Sequence, residues 1–143
     1  ADKNVIDILE SVKRCKNIHT SFLDQGILYE YLRSGSFERQ IKKVRKVYKE
    51  KYELAVECIN KYINPTFIWG EGGLHIYIGI EGVDSRKLLD ECYKKGVIFT
   101  PGDIFSVDYS CKNTLRLGLS RLSLNEIKEG IKIIGEVSKE LRK

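Results

Sequence analysis

The sequence lacks the features that would place the protein in a membrane or secreted class. It has no apolar run near the ~20 residues that a membrane-spanning helix needs. No secretory signal pattern opens it, so we expect a cytoplasmic protein with no membrane partner. Internal repeats and low-complexity segments are also absent. Its 143 residues fit one domain that is long enough to bury a hydrophobic core.

The sequence also gives little indication of a metal site or a disulfide bond. None of the four cysteines forms a close pair; they are Cys15, Cys58, Cys92 and Cys111. We expect them to be reduced and mostly buried as small apolar residues. Cys15 and His19 stand four apart, but without a second pair of ligands they give only a weak zinc signal. No metal site is predicted.

The net charge of +5 raises the question of nucleic-acid binding. Basic residues cover one face of a predicted long helix, namely Arg39, Lys42, Lys43, Arg45, Lys46, Lys49 and Lys51. Glutamates interrupt that face, and no aromatic residues interleave with it. The pattern favours a solvated helix face over a nucleic-acid surface.

Helices dominate the first 63 residues. Val5, Ile8, Leu9 and Val12 have helical spacing within residues 1–18, and a polar break at residues 19–20 follows. Ser21 begins a second helix, which ends at Gly35. Residues 37–63 contain no glycine or proline and carry apolar residues at steps of three and four, so they form one long amphipathic helix.

The remainder alternates between strands and helices. Residues 66–69 and 74–78 flank a glycine turn and predict two strands, and residues 97–99, 104–107 and 115–120 predict further extended segments. A helix of about ten residues begins at Asp84 and Ser85 and stops at Gly96. A capping box opens a last helix that should bury Leu124, Ile127, Ile131, Ile134 and Leu141. The predicted fold class is α+β, a small, mostly antiparallel sheet with helices packed on it and long helices at the N-terminus.

Three segments, in this order, carry a family resemblance: Gln40–Tyr48, Gly72–Tyr77 and Leu115–Ser120. Between the last two lie Gly96-Val97 and Pro101-Gly102 with Phe105. Together they resemble the small domain of fold-type I pyridoxal-phosphate enzymes. The resemblance covers nearly the whole chain and is strongest from about residue 21 onward.

Within that class the sequence is most similar to the aminotransferase-like half of GntR-type transcriptional regulators, the MocR group. Ser21 and Gln25 precede a helix that ends at a glycine, and a Phe-x-Arg segment leads through a basic run to Tyr48. Gln40 departs from the pattern, because this group commonly has histidine there.

The resemblance implies that the chain is the C-terminal part of a longer protein, called the parent below. Residues 1–20 would be a connecting helix from a missing large domain, and residues 21–143 the C-terminal small domain. The Schiff-base lysine, the aspartate on the pyridine nitrogen and most of the phosphate cup would lie in the large domain. We therefore expect pyridoxal 5'-phosphate in the parent, and neither bound cofactor nor catalytic residues in this chain. The parent would be a homodimer, and a regulator would contact DNA through a winged helix-turn-helix further upstream.

Arg116 is the one candidate binding residue. In the strand of residues 115–120, three leucines share one face, and Arg116, Gly118 and Ser120 share the other. A guanidinium beside a residue with no side chain suits a carboxylate. Its other interpretation is a surface arginine paired with a neighbouring acid. By resemblance, Arg116 would hold the α-carboxylate of an amino-acid substrate or effector.

The function expected from the resemblance is therefore a cleft wall that binds an amino-acid ligand in a regulator of the MocR type. The alternative is the same domain in a genuine aminotransferase, and a further alternative is a stand-alone basic interaction domain. The small domain is common to the first two, so whether the parent is an enzyme stays open.

Overall fold

The computed structural model describes residues 2–17, 19 and 21–142, which form two units, residues 1–43 and 44–143. The boundary between the units falls inside the helix α3 (Ser36–Tyr62). Within the described part, no helix is long and apolar enough to cross a membrane. The predicted domain boundary between residues 20 and 21 stays a prediction.

The first unit contains α1 (Lys3–Lys16), α2 (Phe22–Arg33) and the first turns of α3 (Ser36–Tyr62). The side chain of Asp2 caps α1 by accepting a hydrogen bond from the backbone of Asn4. Ser21 caps α2 in the same way, which confirms the helix start predicted there. The predicted break at residues 19–20 includes Thr20, which lies outside the described residues.

The second unit holds the sheet. It comprises the later turns of α3, then β1 (Phe67–Trp69), β2 (His75–Gly79), α4 (Ser85–Lys94), β3 (Thr100–Pro101), a short 3₁₀ helix (Gly102–Phe105), β4 (Thr114–Gly118) and α5 (Leu124–Leu141). The four strands lie in the order β1-β2-β4-β3, and every neighbouring pair is antiparallel. This arrangement confirms the predicted α+β class with a small antiparallel sheet.

The core of this unit lies between one face of the sheet and the helices. Ile76 and Ile78 of β2 and Leu115 and Leu117 of β4 project into it, as strand alternation requires. They meet buried residues of α3, α4 and α5, which include Ala55, Ile59, Leu88, Cys92, Ile127, Ile131 and Ile134. The opposite face of the sheet is therefore free to carry other side chains.

Two predicted extended segments are wrong. Residues 97–99 form no strand, because the backbone N–H of Val97 still closes the end of α4 on the carbonyl of Cys92. The sheet is joined instead by the two residues that follow, Thr100 and Pro101. Residues 104–107 are not extended either, because a 3₁₀ helix runs through Phe105.

The extent of the last helix is confirmed, but the burial of its ends is not. Leu124 and Leu141, predicted to be core residues, are each 38% exposed. They are the first and last residues of α5, so the ends of the helix lie outside the core. Its middle turns supply the core contacts, as predicted.

Candidate functional site

The candidate site lies on the face of the sheet that points away from the core. Arg116 of β4 is paired with Tyr77 of β2 on one side and with Thr100 of β3 on the other. Because cross-strand partners point to the same face, these three side chains share it. Trp69 pairs with Tyr77, and His75 pairs with Gly118, so both residues extend this surface.

Arg116 is held by an aromatic ring rather than by an acid. Its guanidinium carbon lies 4.8 Å from the centroid of the Phe105 ring, which is a cation–π geometry. Its Nε is buried and has no hydrogen-bond partner. Among the described residues, no carboxylate lies within ion-pair distance of Arg116. Arg116 is thus a half-buried cation that contacts an aromatic ring and whose Nε has no partner among the described residues.

Phe105 reaches Arg116 because the backbone at Gly102 lies very close to the side chains of Thr114 and Tyr77. A Cβ built on Gly102 would lie 1.8 Å from Oγ1 of Thr114 and 2.6 Å from the hydroxyl of Tyr77. Those two oxygens are hydrogen-bonded to each other at 2.6 Å. Only glycine fits at this position, and its fit lets the 3₁₀ helix lie directly against β2 and β4. The ring of Phe105 then packs edge-on against Tyr77 as well.

An ion pair fixes the same 3₁₀ helix from its other side. The Nε of Arg86 in α4 donates a hydrogen bond to the buried carboxylate of Asp103. That hydrogen bond, together with the charge of Asp103, raises the pKa of Arg86 above its ordinary value. Arg86, Gly102, Asp103 and Phe105 were not predicted as parts of the site. The only sequence signal was the Pro-Gly turn followed by a phenylalanine.

A surface pocket of about 300 Å³ lies beside Arg116. Its lining combines polar and apolar residues: His75, Ile98, Phe99, Thr100, Arg116, Gly118, Ser120, Arg121 and Leu122. No lysine is present in this lining, so the pocket does not offer the amine to which pyridoxal phosphate would be linked. It does offer guanidinium donors, whose planar fork can bind a carboxylate.

The other residues considered in the sequence have simpler places. Gly72 and Gly73 form the predicted turn between β1 and β2. Their φ angles are 143° and 90°, values that residues with a Cβ rarely adopt. Trp69 is 69% exposed although its ring contacts Phe67 and Tyr77. The described residues contain no group of three or more metal-ligating side chains. Cys58 and Cys92 are buried as expected, whereas Cys111 is half-buried and Cys15 is exposed.

Comparison with known proteins gives relatives over nearly the whole chain, although no protein-family model matches. An uncharacterised aminotransferase of Saccharolobus solfataricus is 34% identical over 142 residues, which are 97% of this chain and 35% of that protein. The uncharacterised HTH-type transcriptional regulator YdfD of Bacillus subtilis is 29% identical over 140 residues, 96% of this chain and 29% of that protein.

A solved structure agrees with the sequence matches. The crystal structure of a kynurenine aminotransferase of Pyrococcus horikoshii superposes with a TM-score of 0.87 and 32% identity, over 99% of this chain and 36% of that one. The chain thus spans about a third of the length of the proteins it matches.

Proposed function

We propose that this chain, a member of the fold-type I aminotransferase-like class with the fold of its small domain, forms one wall of the ligand cleft in a longer pyridoxal-phosphate-binding parent. The observation that carries this proposal is Arg116, a half-buried guanidinium with a buried, unpartnered Nε at an open pocket. In the parent, the large domain of the same polypeptide would supply the cofactor and its lysine. The cofactor would act there as an electron sink for the bound amino acid.

The role of this chain is binding and orientation. The planar fork of Arg116 can hold a carboxylate through two parallel hydrogen bonds, which sets both the position and the direction of the ligand. Phe105 restricts the guanidinium to one orientation before the ligand arrives, so less side-chain freedom is lost on binding. Closure of this wall over the cleft would exclude water from the bound amino acid.

Two kinds of parent are candidates, and both would use the site in this way. An aminotransferase is favoured by the higher identities, 34% and 32%, with proteins of that name. A transcriptional regulator is favoured by the match to YdfD and by the resemblance between residues 21 and 48. The sequence upstream of Ala1 in the parent gene distinguishes them, because a winged helix-turn-helix before the large domain would select the regulator.

The proposal is tested by substituting Arg116 in the intact parent with its cofactor bound. Arg116→Ala should weaken an amino-acid ligand by about 1.5–3 kcal/mol, the contribution of hydrogen bonds to a charged group. Arg116→Lys should restore little, because an ammonium cannot present the planar fork. Ligand affinity is measured by calorimetry, and cofactor content by absorbance.

Arg142→Ala is the matched control, since this arginine is exposed at the end of α5, outside the pocket. It should bind ligand and cofactor like the unaltered parent. Unchanged ligand affinity in Arg116→Ala would refute the proposed site. Loss of the cofactor together with the ligand would instead assign Arg116 to folding or cofactor retention.

A further inference from the structure

The pocket at Arg116 contains a second guanidinium that a single α-carboxylate does not use. Arg121 lines the same pocket, close to where the chain turns from β4 into α5. No aspartate or glutamate contributes to the described lining. Within the described part of the chain, Arg121 also takes part in no ion pair. Two positive groups therefore face one small cavity without a compensating negative charge.

The backbone on both sides of Arg121 is anchored. The N–H of Leu119 donates to the carbonyl of Leu74 at 2.9 Å, which continues the sheet beyond β4. The Nζ of Lys51 in α3 donates to the carbonyl of Ser120 at 3.0 Å. Two residues after Arg121, the capping box of Ser123 begins α5. The backbone at Arg121 is thus held on both sides, although the Arg121 side chain has no partner among the described residues.

The same pocket is also lined by a residue with no side chain and by two residues with hydroxyl groups. Gly118 lies between them in sequence and presents no side chain to the pocket. A Cβ at that position would lie 3.7 Å from the imidazole of His75, so glycine leaves the edge of this ring accessible. Ser120 and Thr100 add hydroxyl groups to the lining. The pocket that contains both arginines thus offers hydroxyl groups as well.

We propose that Arg121 determines specificity by binding a second negatively charged group on the ligand whose α-carboxylate Arg116 holds. The inference rests on the proposed function, because it needs Arg116 as the first anchor. Arg121 would thereby favour amino acids with an acidic side chain over amino acids with an apolar side chain of the same length. Arg121 is exposed, so an apolar ligand would simply gain no contact with its guanidinium, whereas an acidic one would gain a charge-assisted hydrogen bond.

The test compares pairs of ligands that differ only in the distal charge, in the cofactor-loaded parent. Glutamate is paired with norvaline and 2-aminoadipate with norleucine, and calorimetry gives the four dissociation constants. Arg121→Gln should weaken the two acidic ligands by about tenfold or more and leave the two apolar ones within about twofold. Arg121→Lys should keep part of the preference, because it keeps the charge. Arg142→Gln is the control and should leave all four constants unchanged.

The outcomes separate this inference from the proposed function. If Arg116→Ala weakens all four ligands and Arg121→Gln weakens neither acidic one, the assignment of Arg121 is overturned and the proposed function stands. Equal weakening of acidic and apolar ligands by Arg121→Gln also overturns it and assigns Arg121 to structure, which circular dichroism and thermal unfolding would report. If Arg116→Ala changes none of the four constants, or the parent binds none of these ligands, both proposals fail.

Discussion

Substitution of Gly102 by alanine should unfold the second unit more easily, because the site depends on a contact that has no room for a methyl group. The added Cβ would start 1.8 Å from Oγ1 of Thr114, whereas real Cβ contacts essentially never fall below 3.0 Å. Either the 3₁₀ helix or the buried strand β4 must therefore move by more than an ångström. Overpacking of this kind costs about 1–3 kcal/mol. Since Thr114 is buried on a paired strand and its Cβ would also lie only 2.8 Å from the added carbon, rotation of its side chain does not remove the clash, and we expect about 2–3 kcal/mol.

The assay is urea unfolding of the 143-residue chain, followed by fluorescence of Trp69. It is the only tryptophan and lies on β1, so its signal reports on the second unit. The expected loss corresponds to a fall of roughly 6–10 °C in Tm for a chain of this length. Thr114→Ala in the Gly102→Ala background should recover part of the loss, because it removes the atom that clashes.

Gly130→Ala is the matched control. Nothing lies within 4 Å of a Cβ at that position, and Gly130 is inside α5. Alanine there should stabilise the chain by about 0.5–1 kcal/mol, because glycine disfavours the helix interior. If Gly102→Ala were as stable as the unaltered chain, the close approach would not be what positions Phe105, and the account of the site would be wrong.

Two further predictions concern the helix cap and the thiols. Ser123→Ala should cost about 1 kcal/mol by removing the cap of α5. The hydrogen bonds from Ser123 lower the pKa of Glu126, so the difference in unfolding free energy between Ser123→Ala and the unaltered chain should be full at neutral pH and shrink as the pH falls through that lowered pKa. Urea unfolding at neutral pH and at a pH below that pKa measures this difference, and a difference that does not change with pH would contradict the prediction. Burial raises the pKa of Cys92 to about 11 and also raises the pKa of Cys58, so an alkylating reagent should modify the exposed Cys15 first. Mass spectrometry follows the modification, and equal alkylation rates at the three thiols would show that the core around Cys58 and Cys92 opens readily.

The sequence was informative where the structure follows from local periodicity. Alternation in residues 115–120 placed Arg116 and Gly118 on the face opposite the leucines, and β4 has that arrangement. Ser21 and Ser123 carry side-chain oxygens beside free amides, so their helix starts could be identified without tertiary contacts.

The partners of Arg116 could not be predicted in the same way. Phe105 lies eleven positions away and reaches it only because Gly102 fits against two oxygens on different strands. Residues 97–99 are apolar enough for a strand, yet the hydrogen bond that ends α4 takes Val97 away from the sheet. Such contacts join segments that are distant in sequence, and no pattern within either segment records them.

The two outer strands limit how this sheet can grow. β1 has three residues, and β3 has two, one of which is Pro101 with no backbone N–H to donate. Long, flat outer strands are templates on which foreign strands add and aggregation begins. Each outer strand offers only a few backbone N–H and C=O groups to a further strand, so strand addition at either edge of the sheet is disfavoured. Engineered fusions or insertions at this sheet should therefore exploit side-chain packing on its exposed face, because strand addition has so little backbone to pair with.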